Sequence, residues 1–345
     1  MMQRRAQITG WGKYVPEKVL TNDDLAKMVD TSDEWITTRT GIKERHIRGE
    51  NDTTTSMACN AAREAMAVAG VTAADIDLII TANSSPDYLL PGSANLIQHE
   101  LGATCPAFTI SAGCSGWVYS FVNAQQFIQT GAYRNILVIG VELISYALDY
   151  TDRSTCILFG DAAAAVVVQP AEDGSGMLAF ELGSDGGKAK DLWVPGGGTV
   201  NPVSQSVVDN REAYIRMNGQ EVFKFAVKKF TSCLNNITAQ AGMTLDDLDL
   251  IIPHQANLRI IEFAANMLGV SMDKFFVNLH KYGNTSAASI PLALVEAIEE
   301  GRLKSGQTVG MVAFGSGLSW AGAVMKMGVI EPQAAPEPLY SGVNA

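Results

Sequence analysis

Little in this 345-residue sequence suits a membrane, secretory or metal-binding role. Hydrophobic residues make up 47% of the chain but are interrupted every few positions, so no apolar run approaches the roughly 18 residues that span a bilayer. The opening MMQRRAQITGWG has two arginines but no apolar stretch before its first glycine, no sign of a secretory signal; a cytoplasmic protein without membrane contact is expected. Basic residues are in deficit, 25 Lys and Arg against 36 Asp and Glu, for a formal charge of −11. Phosphate backbones repel such a surface, so nucleic acid is not an expected partner. Any acidic partner must meet a local basic patch. Cysteines are few and scattered (Cys59, Cys105, Cys114, Cys156, Cys233), which argues against a disulfide framework. No CxxC, HExxH or carboxylate-rich loop occurs, so no metal site is expected.

What is present is a duplication. AGVTAADIDLIITA, starting at Ala69, reads against AGMTLDDLDLIIPH, starting at Ala241, with eight identities in fourteen and an offset of 172. Each copy has a helix ending at Gly70 or Gly242, an Asp-rich turn and a buried strand. Downstream, the amphipathic stretches WVYSFVNAQQFIQTG and IPLALVEAIEEG each precede an apolar strand, ILVIGVE or TVGMVAF, and then a small-residue strand, DAAAAVVVQ or AGAVMKMG. Helices alternating with apolar strands imply α/β layers with mostly parallel sheets, and a pseudo-twofold would bring the strand ends of both halves to a shared cleft. The expected boundaries are 1–175 for a half carrying a nucleophilic Cys, 176–330 for a half carrying His and Asn, and 331–345, with three prolines, for a poorly ordered tail. Residues 184–202 are glycine-rich with little periodicity, which predicts a long loop.

Cys114 lies in SAGCSGW, after the apolar AFTI and just before a helical pattern. That places the thiol at a helix N-terminus, where exposed amides favour thiolate. Asn284, in GNTSAAS, stands as far from Cys114 as Gly301 does from Gly131 at the ends of the two helices, so Cys114 and Asn284 are expected in related places. His254 follows the second LII strand in PHQAN, at the edge where a cleft opens. Alone, each fits a bland role: buried cysteine, helix cap, structural histidine. Together they form a thiol nucleophile with imidazole and amide donors for an enolate oxygen. Thiol proteases use a similar trio, so the set does not select the reaction. FGSGLSW could bring a backbone amide to a reacting oxygen and is not a phosphate loop, since GKS or GKT is absent. Trp35 and Arg39, one helical turn apart in TSDEWITTRTGIKERHI, suit an adenine ring with phosphates. His46 and His99 show no partners and read as structural.

With TSDEWITTRTGI, SAGCSGW, TDRSTCILFGD, EVFKFAV, PHQANLRII, GNTSAAS and AFGSGLSW, the chain resembles the β-ketoacyl-acyl-carrier-protein synthase III family from about residue 6 to residue 328. The resemblance implies a thiolase-like α/β fold: two duplicated βαβαβαββ halves in a five-layered α-β-α-β-α architecture. It implies that Cys114 is acylated by acyl-CoA and that malonyl-acyl-carrier protein is then decarboxylated with help from His254 and Asn284. The oxyanion falls to the backbone amides of Cys114 and Gly317. It assigns coenzyme A contacts to Thr31, Trp35, Arg39 and Arg153, the pantetheine tunnel to Phe223 and Asn257, and carrier-protein docking to Lys224 and Arg259. A homodimer is implied, with acyl-CoA as substrate and no tightly bound cofactor. Leu90 matches a position lining the acyl pocket across the dimer, where members restricted to acetyl starters often carry Phe; a roomier pocket for medium or branched starters is expected. The helix after Arg259, IIEFAANMLGV, lacks the lysines often found there. A synthase III-like ketosynthase or acyltransferase of specialised metabolism, using another acceptor, is the alternative. Hydroxymethylglutaryl-CoA synthase would need a Glu in TANSSPDY, a degradative thiolase a Cys in FGSGLSW, and a non-catalytic relative would be expected to have lost one of the trio.

Overall fold

The computed structural model describes residues 4–171 and 173–330; the tail 331–345 lies outside the described residues. Strands β1 (Arg5–Tyr14), β2 (Leu78–Ala82), β3 (Ala107–Ile110), β4 (Ile136–Leu143) and β5 (Asp161–Ala171) form one sheet, in the order β1-β5-β4-β2-β3. Strands β6 (Gly176–Ser184), β7 (Leu250–Pro253), β8 (Thr308–Gly315) and β9 (Ser319–Lys326) form a second, in the order β7-β8-β9-β6. The helices that bear on the fold are α1 (Asp33–Thr40), α2 (Thr54–Ala69), α3 (Ser93–Glu100), α4 (Gly116–Thr130), α5 (Gly219–Gln240), α6 (Leu258–Leu268) and α7 (Ser289–Glu299).

The layers follow from which faces are apolar. Every residue of β2, β4, β7 and β8 is buried, so both faces of each sheet need a cover. Helices α4 and α7 lie between the sheets, where Trp117, Phe121 and Ile128 of α4 and Ile290, Leu294 and Ile298 of α7 share one core with both sheets. Outside, α2 covers the first sheet and α5 and α6 the second. This is the expected α-β-α-β-α stack. The sheets are mixed rather than mostly parallel: β2 runs parallel to β3 and β4, and β7 to β8, but β5 and β9 each return antiparallel beside the strand before them. A neighbour that returns beside its predecessor without a crossover must be antiparallel.

Among the described residues, the second half has no full counterpart of β3. Its place is taken by a single bridge between Ile251 and Phe275. Pro253 has no N–H to continue the ladder, and its carbonyl accepts from Gln255 Nε2 (2.9 Å), whose Oε1 in turn accepts from the Asn278 N–H (3.0 Å). The Gln255 side chain replaces the missing rungs. Residues 184–202 build no second core; Leu192–Trp193 pairs with Arg216–Met217 as a short ribbon.

Candidate active site

Cys114 is the middle residue of a 3₁₀ turn, Gly113–Ser115, that runs straight into α4. Gly113 opens it at φ +54, a left-handed value that side chains disfavour. The turn between β8 and β9 presses in from the other half. A Cβ on Gly315 would lie 2.5 Å from the Cys114 nitrogen, so only glycine lets these backbones meet. Ser319 Oγ joins them, 3.0 Å from Ala112 O, 2.9 Å from Ser316 O and 2.8 Å from Ser115 Oγ.

The sulfur receives the hydroxyl of Ser286 (3.4 Å) and the backbone N–H groups of Cys114 and Ser316. All three donors, like the helix N-terminus, favour thiolate. Burial outweighs them and pushes the thiol up to about 12. The expectation of a resting thiolate is thus corrected: the sulfur keeps its proton at neutral pH until a base removes it.

The amide of Gly-Ser-Gly that reaches the sulfur is that of Ser316, one residue before the Gly317 expected at the oxyanion. In Gly-Ser-Gly the flanking glycines supply backbone geometry, close approach at Gly315 and φ +137 at Gly317, and the middle residue supplies the donor.

His254 follows β7, its N–H bonded to Val312 O (2.8 Å). The ring is buried edge-on against Phe314, with centroids 5.2 Å apart, and Nδ1 lies 2.6 Å from Ser289 Oγ. Burial pushes its pKa down to about 3, which leaves the imidazole neutral. Asn284 is tied through its backbone to Leu158 O (2.8 Å) and Gly160 N (3.0 Å). Its side-chain oxygen accepts from the Ser286 N–H (2.9 Å), leaving the NH₂ group as the remaining donor.

Cys114 and Asn284 do not hold equivalent places. Helix α4 has 15 residues and α7 only 11, so a spacing measured at their C-terminal glycines fails at their N-termini. The turn that corresponds to Gly113–Ser115 is Ser286–Ala288, and Ser286, at φ +50, stands where Gly113 stands.

Cys114, His254 and Asn284 line one cavity of about 340 Å³, together with Trp35, Arg39, Arg153, Phe223 and Asn257. The Trp35 ring has the Arg39 guanidinium 5.4 Å and the Arg153 guanidinium 5.1 Å from its centroid. Thr31 does not line the cavity, but its buried Oγ1 has no hydrogen-bond partner among the described residues. Asn257 caps α6 by accepting from Arg259 N (2.9 Å), and Phe223 meets Phe263 edge-on at 5.7 Å. Lys224 is exposed and paired with Glu221 (2.8 Å); Arg259 is exposed. A second cavity of about 130 Å³ also reaches Cys114, with Ile144, Tyr146, Phe159 and Trp193 in its wall. Leu90 lines neither cavity: it is 86% exposed, beside exposed Tyr88 and Leu89. Among the described residues, no cluster of three His, Cys, Asp or Glu could hold a metal ion, and no helix is long and apolar enough to cross a membrane.

Sequence reasoning missed Ser286, Ser289, Ser316 and Glu142. Glu142 accepts from Ser84 N (3.1 Å), Ser85 Oγ (2.6 Å) and Ser286 Oγ (3.1 Å). Its signal was available, an acid closing the otherwise apolar ILVIGVE.

The family model described as 3-oxoacyl-[acyl-carrier-protein (ACP)] synthase III matches residues 108–186, and that of its C-terminal part matches residues 238–327. A beta-ketoacyl-[acyl-carrier-protein] synthase III of Symbiobacterium thermophilum is 51% identical over 95% of this chain and 100% of that protein. The crystal structure of 3-oxoacyl-[acyl-carrier-protein] synthase III from Aquifex aeolicus superposes with a TM-score of 0.87 at 46% identity, covering 93% of this chain and 99% of that one. A priming beta-ketosynthase from a polyketide biosynthetic pathway superposes equally well, with a TM-score of 0.87, at 32% identity over 95% of this chain and 97% of that one.

Proposed function

Because the chain belongs to the 3-oxoacyl-[acyl-carrier-protein] synthase III family, we propose that Cys114 carries the acyl group while His254 and Asn284 hold the enolate that attacks it. The protein is a condensing acyltransferase that initiates fatty-acid synthesis. It extends an acyl starter with malonyl-acyl-carrier protein by a decarboxylative Claisen reaction. The observation that carries the assignment of roles is that Cys114, His254 and Asn284 share a cavity with Trp35 and Arg153.

In the first half-reaction the sulfur attacks the thioester carbon of acyl-CoA, and the oxyanion rests on the N–H groups of Cys114 and Ser316. Free coenzyme A departs. In the second, malonyl-carrier protein loses CO₂, and the enolate oxygen is met by two neutral donors. With Ser289 donating to Nδ1, the imidazole presents its Nε2–H, and Asn284 presents its NH₂ group. A neutral imidazole suits this task, since it stabilises the developing charge without first having to lose a proton.

Trp35, flanked by Arg39 and Arg153, holds the adenine and phosphates of coenzyme A, with Thr31 adding a hydroxyl. Phe223 and Asn257 line the pantetheine passage. Lys224 and Arg259 form the local basic patch for an acidic carrier protein, against an overall charge of −11. Leu90 completes the acyl pocket of the other subunit in a homodimer, and its smaller side chain admits medium or branched starters. The enzyme works in the cytoplasm and needs no tightly bound cofactor.

Intact-mass spectrometry after exposure to acyl-CoAs of graded length and branching, followed by malonyl-CoA or malonyl-carrier protein, tests this reading. One adduct per chain is expected, preferring medium or branched starters and discharged by the carrier-bound malonyl group. Loading by acetyl-CoA alone would overturn the starter assignment, and discharge by malonyl-CoA alone would overturn the acceptor.

A further inference from the structure

Two non-glycine residues among those described have a left-handed φ, and one of them, Ser286, touches the nucleophile. A side chain at such a φ is disfavoured where glycine is not, and departures of this kind concentrate at functional sites. The first half places Gly113 at the matching position, φ +54. What Ser286 adds to the same turn is a hydroxyl.

That hydroxyl has one hydrogen and two neighbours that could accept it, Cys114 Sγ at 3.4 Å and Glu142 Oε1 at 3.1 Å. When Glu142 is ionised and Cys114 is a thiol, one arrangement uses every group: S–H donates to Oγ, and Oγ–H donates to the carboxylate. With the proton on Glu142 both bonds reverse. Close approach makes this possible, since a Cβ on Gly140 would lie 2.6 Å from Ala287 O and would hold the Ser286 turn away from β4.

Glu142 is fully buried, and no cation pairs with it among the described residues. Its contacts are the donors from Ser84, Ser85 and Ser286 and the Ala287 N–H. The titratable groups that face it are Cys114 and Tyr146. Asp161 on the adjacent strand pairs with Leu143 and points to the opposite face of the sheet. His254 feels burial alone. Burial pushes Glu142 up to about 7 and His254 down to about 3, so the carboxylate is the stronger base of the two.

We propose that Glu142 accepts the Cys114 proton through the Ser286 hydroxyl during loading and returns it when condensation expels the sulfur; this rests on Cys114 being the acylated residue. In loading, the S–H bond breaks as Oγ–H forms, and the original Oγ–H breaks as Oε1–H forms. The sulfur bonds the acyl carbon, and the carbon–sulfur bond to coenzyme A breaks with its electron pair on the departing sulfur, which takes a proton from solvent. In condensation the enolate carbon bonds the acyl carbon, the bond to Cys114 breaks, and the proton runs back along the same path to the sulfur. Glu142 is therefore uncharged while the enolate forms beside it. Ser286, touching the reacting sulfur, is a catalytic residue. Glu142 acts through it as a positioning and proton-holding residue.

The test is single-turnover acylation of the full-length protein by acetyl-CoA and by isobutyryl-CoA, and alkylation of Cys114 by iodoacetamide, across pH for wild type, Ser286→Gly and Glu142→Gln. Wild-type loading is expected to rise through a step near pH 7, where Glu142 ionises. Both variants should lose that step and load roughly 10²-fold more slowly above it, the usual scale for one proton-transfer partner. Glycine suits the φ of Ser286 but takes one donor from the buried Glu142, so the melting temperature of Ser286→Gly is measured alongside, and slow loading by a variant still folded at the assay temperature cannot be put down to misfolding. Wild-type rates with an unchanged pH profile in Ser286→Gly would overturn the relay, as would a retained step in Glu142→Gln. Failure of both CoA esters to load wild-type Cys114, with iodoacetamide alkylation still dependent on Glu142, would instead count against the acyl-enzyme reading and leave the relay standing.

Discussion

The two turns that open the central helices, Gly113–Ser115 and Ser286–Ala288, share a backbone and differ in chemistry. In the first half glycine takes the left-handed position and the next residue is the nucleophile. In the second half a serine takes that position and the next residue, Ala287, is inert. The difference teaches how a duplicated fold makes an asymmetric site. One copy of the turn holds the atom that reacts, and the other holds the groups that tend it, with the Ser286 hydroxyl on the sulfur and the Asn284 carboxamide fixed by the Ser286 amide. The buried titratable groups divide in the same way. Burial favours the protonated forms of Cys114 and Glu142 in the first half and the unprotonated form of His254 in the second.

Breaking the first turn has the largest expected effect. Cys114→Ala should abolish the covalent adduct altogether, read by intact mass after incubation with acyl-CoA. On the other side, Asn284→Ala should still take the acyl group but condense roughly 10²- to 10³-fold more slowly, the scale of one lost oxyanion donor, in a stopped assay of the 3-oxoacyl product. Normal condensation in that variant would remove Asn284 from the site.

Stability against pH sharpens the titration contrast. The folded-state pKa of Glu142 lies above its ordinary value, about 7 against 4.5, so the stability linked to its proton is complete below about pH 4.5 and is lost as pH rises through 7. His254 is shifted the other way, from 6.5 to about 3; its contribution is present above pH 6.5 and is lost as pH falls through 3. Glu142→Gln should therefore gain on wild type by up to about 3 kcal/mol across the Glu142 window, measured by urea unfolding at graded pH. A pH-independent difference would show that Glu142 does not titrate there.

The sheet edges also differ, a full strand β3 in one half and a bridge held by Gln255 in the other. Gln255→Ala should cost about 1–3 kcal/mol, because the Pro253 carbonyl and the Asn278 N–H lose their partner, in the same unfolding assay. The smallest effect is expected at the cavity mouth. Trp35→Ala should raise KM for acyl-CoA by roughly fivefold with kcat little changed, as loss of a cation–π platform worth about 1 kcal/mol implies, in steady-state kinetics.

Much of this was legible in the sequence because duplication and hydrophobic period carry the layers. The apolar LII and ILVIGVE runs announced buried strands, and SAGCSGW, PHQAN and GNTSAAS announced strand ends and helix starts. Three things were not legible, each for a physical reason. Helix lengths differ between the halves, so a spacing taken at Gly131 and Gly301 matched Asn284 to Cys114 when the turn itself matches Ser286 to Gly113. The charge state of Cys114 depends on how completely the two halves exclude water, which no local motif records. Which amide of Gly-Ser-Gly faces the sulfur depends on the φ of Gly317 and the approach of Gly315, properties of the packed turn.

The most direct measurement is a pulse and chase on the Cys114 peptide: load the protein with labelled acyl-CoA, remove excess, add malonyl-carrier protein, and map the label by peptide mass while counting CO₂ released. The label should sit on Cys114 alone, then leave it for the carrier-bound product with one CO₂ per label transferred. Label on any other residue, or label leaving Cys114 as free acid without CO₂, would contradict the account.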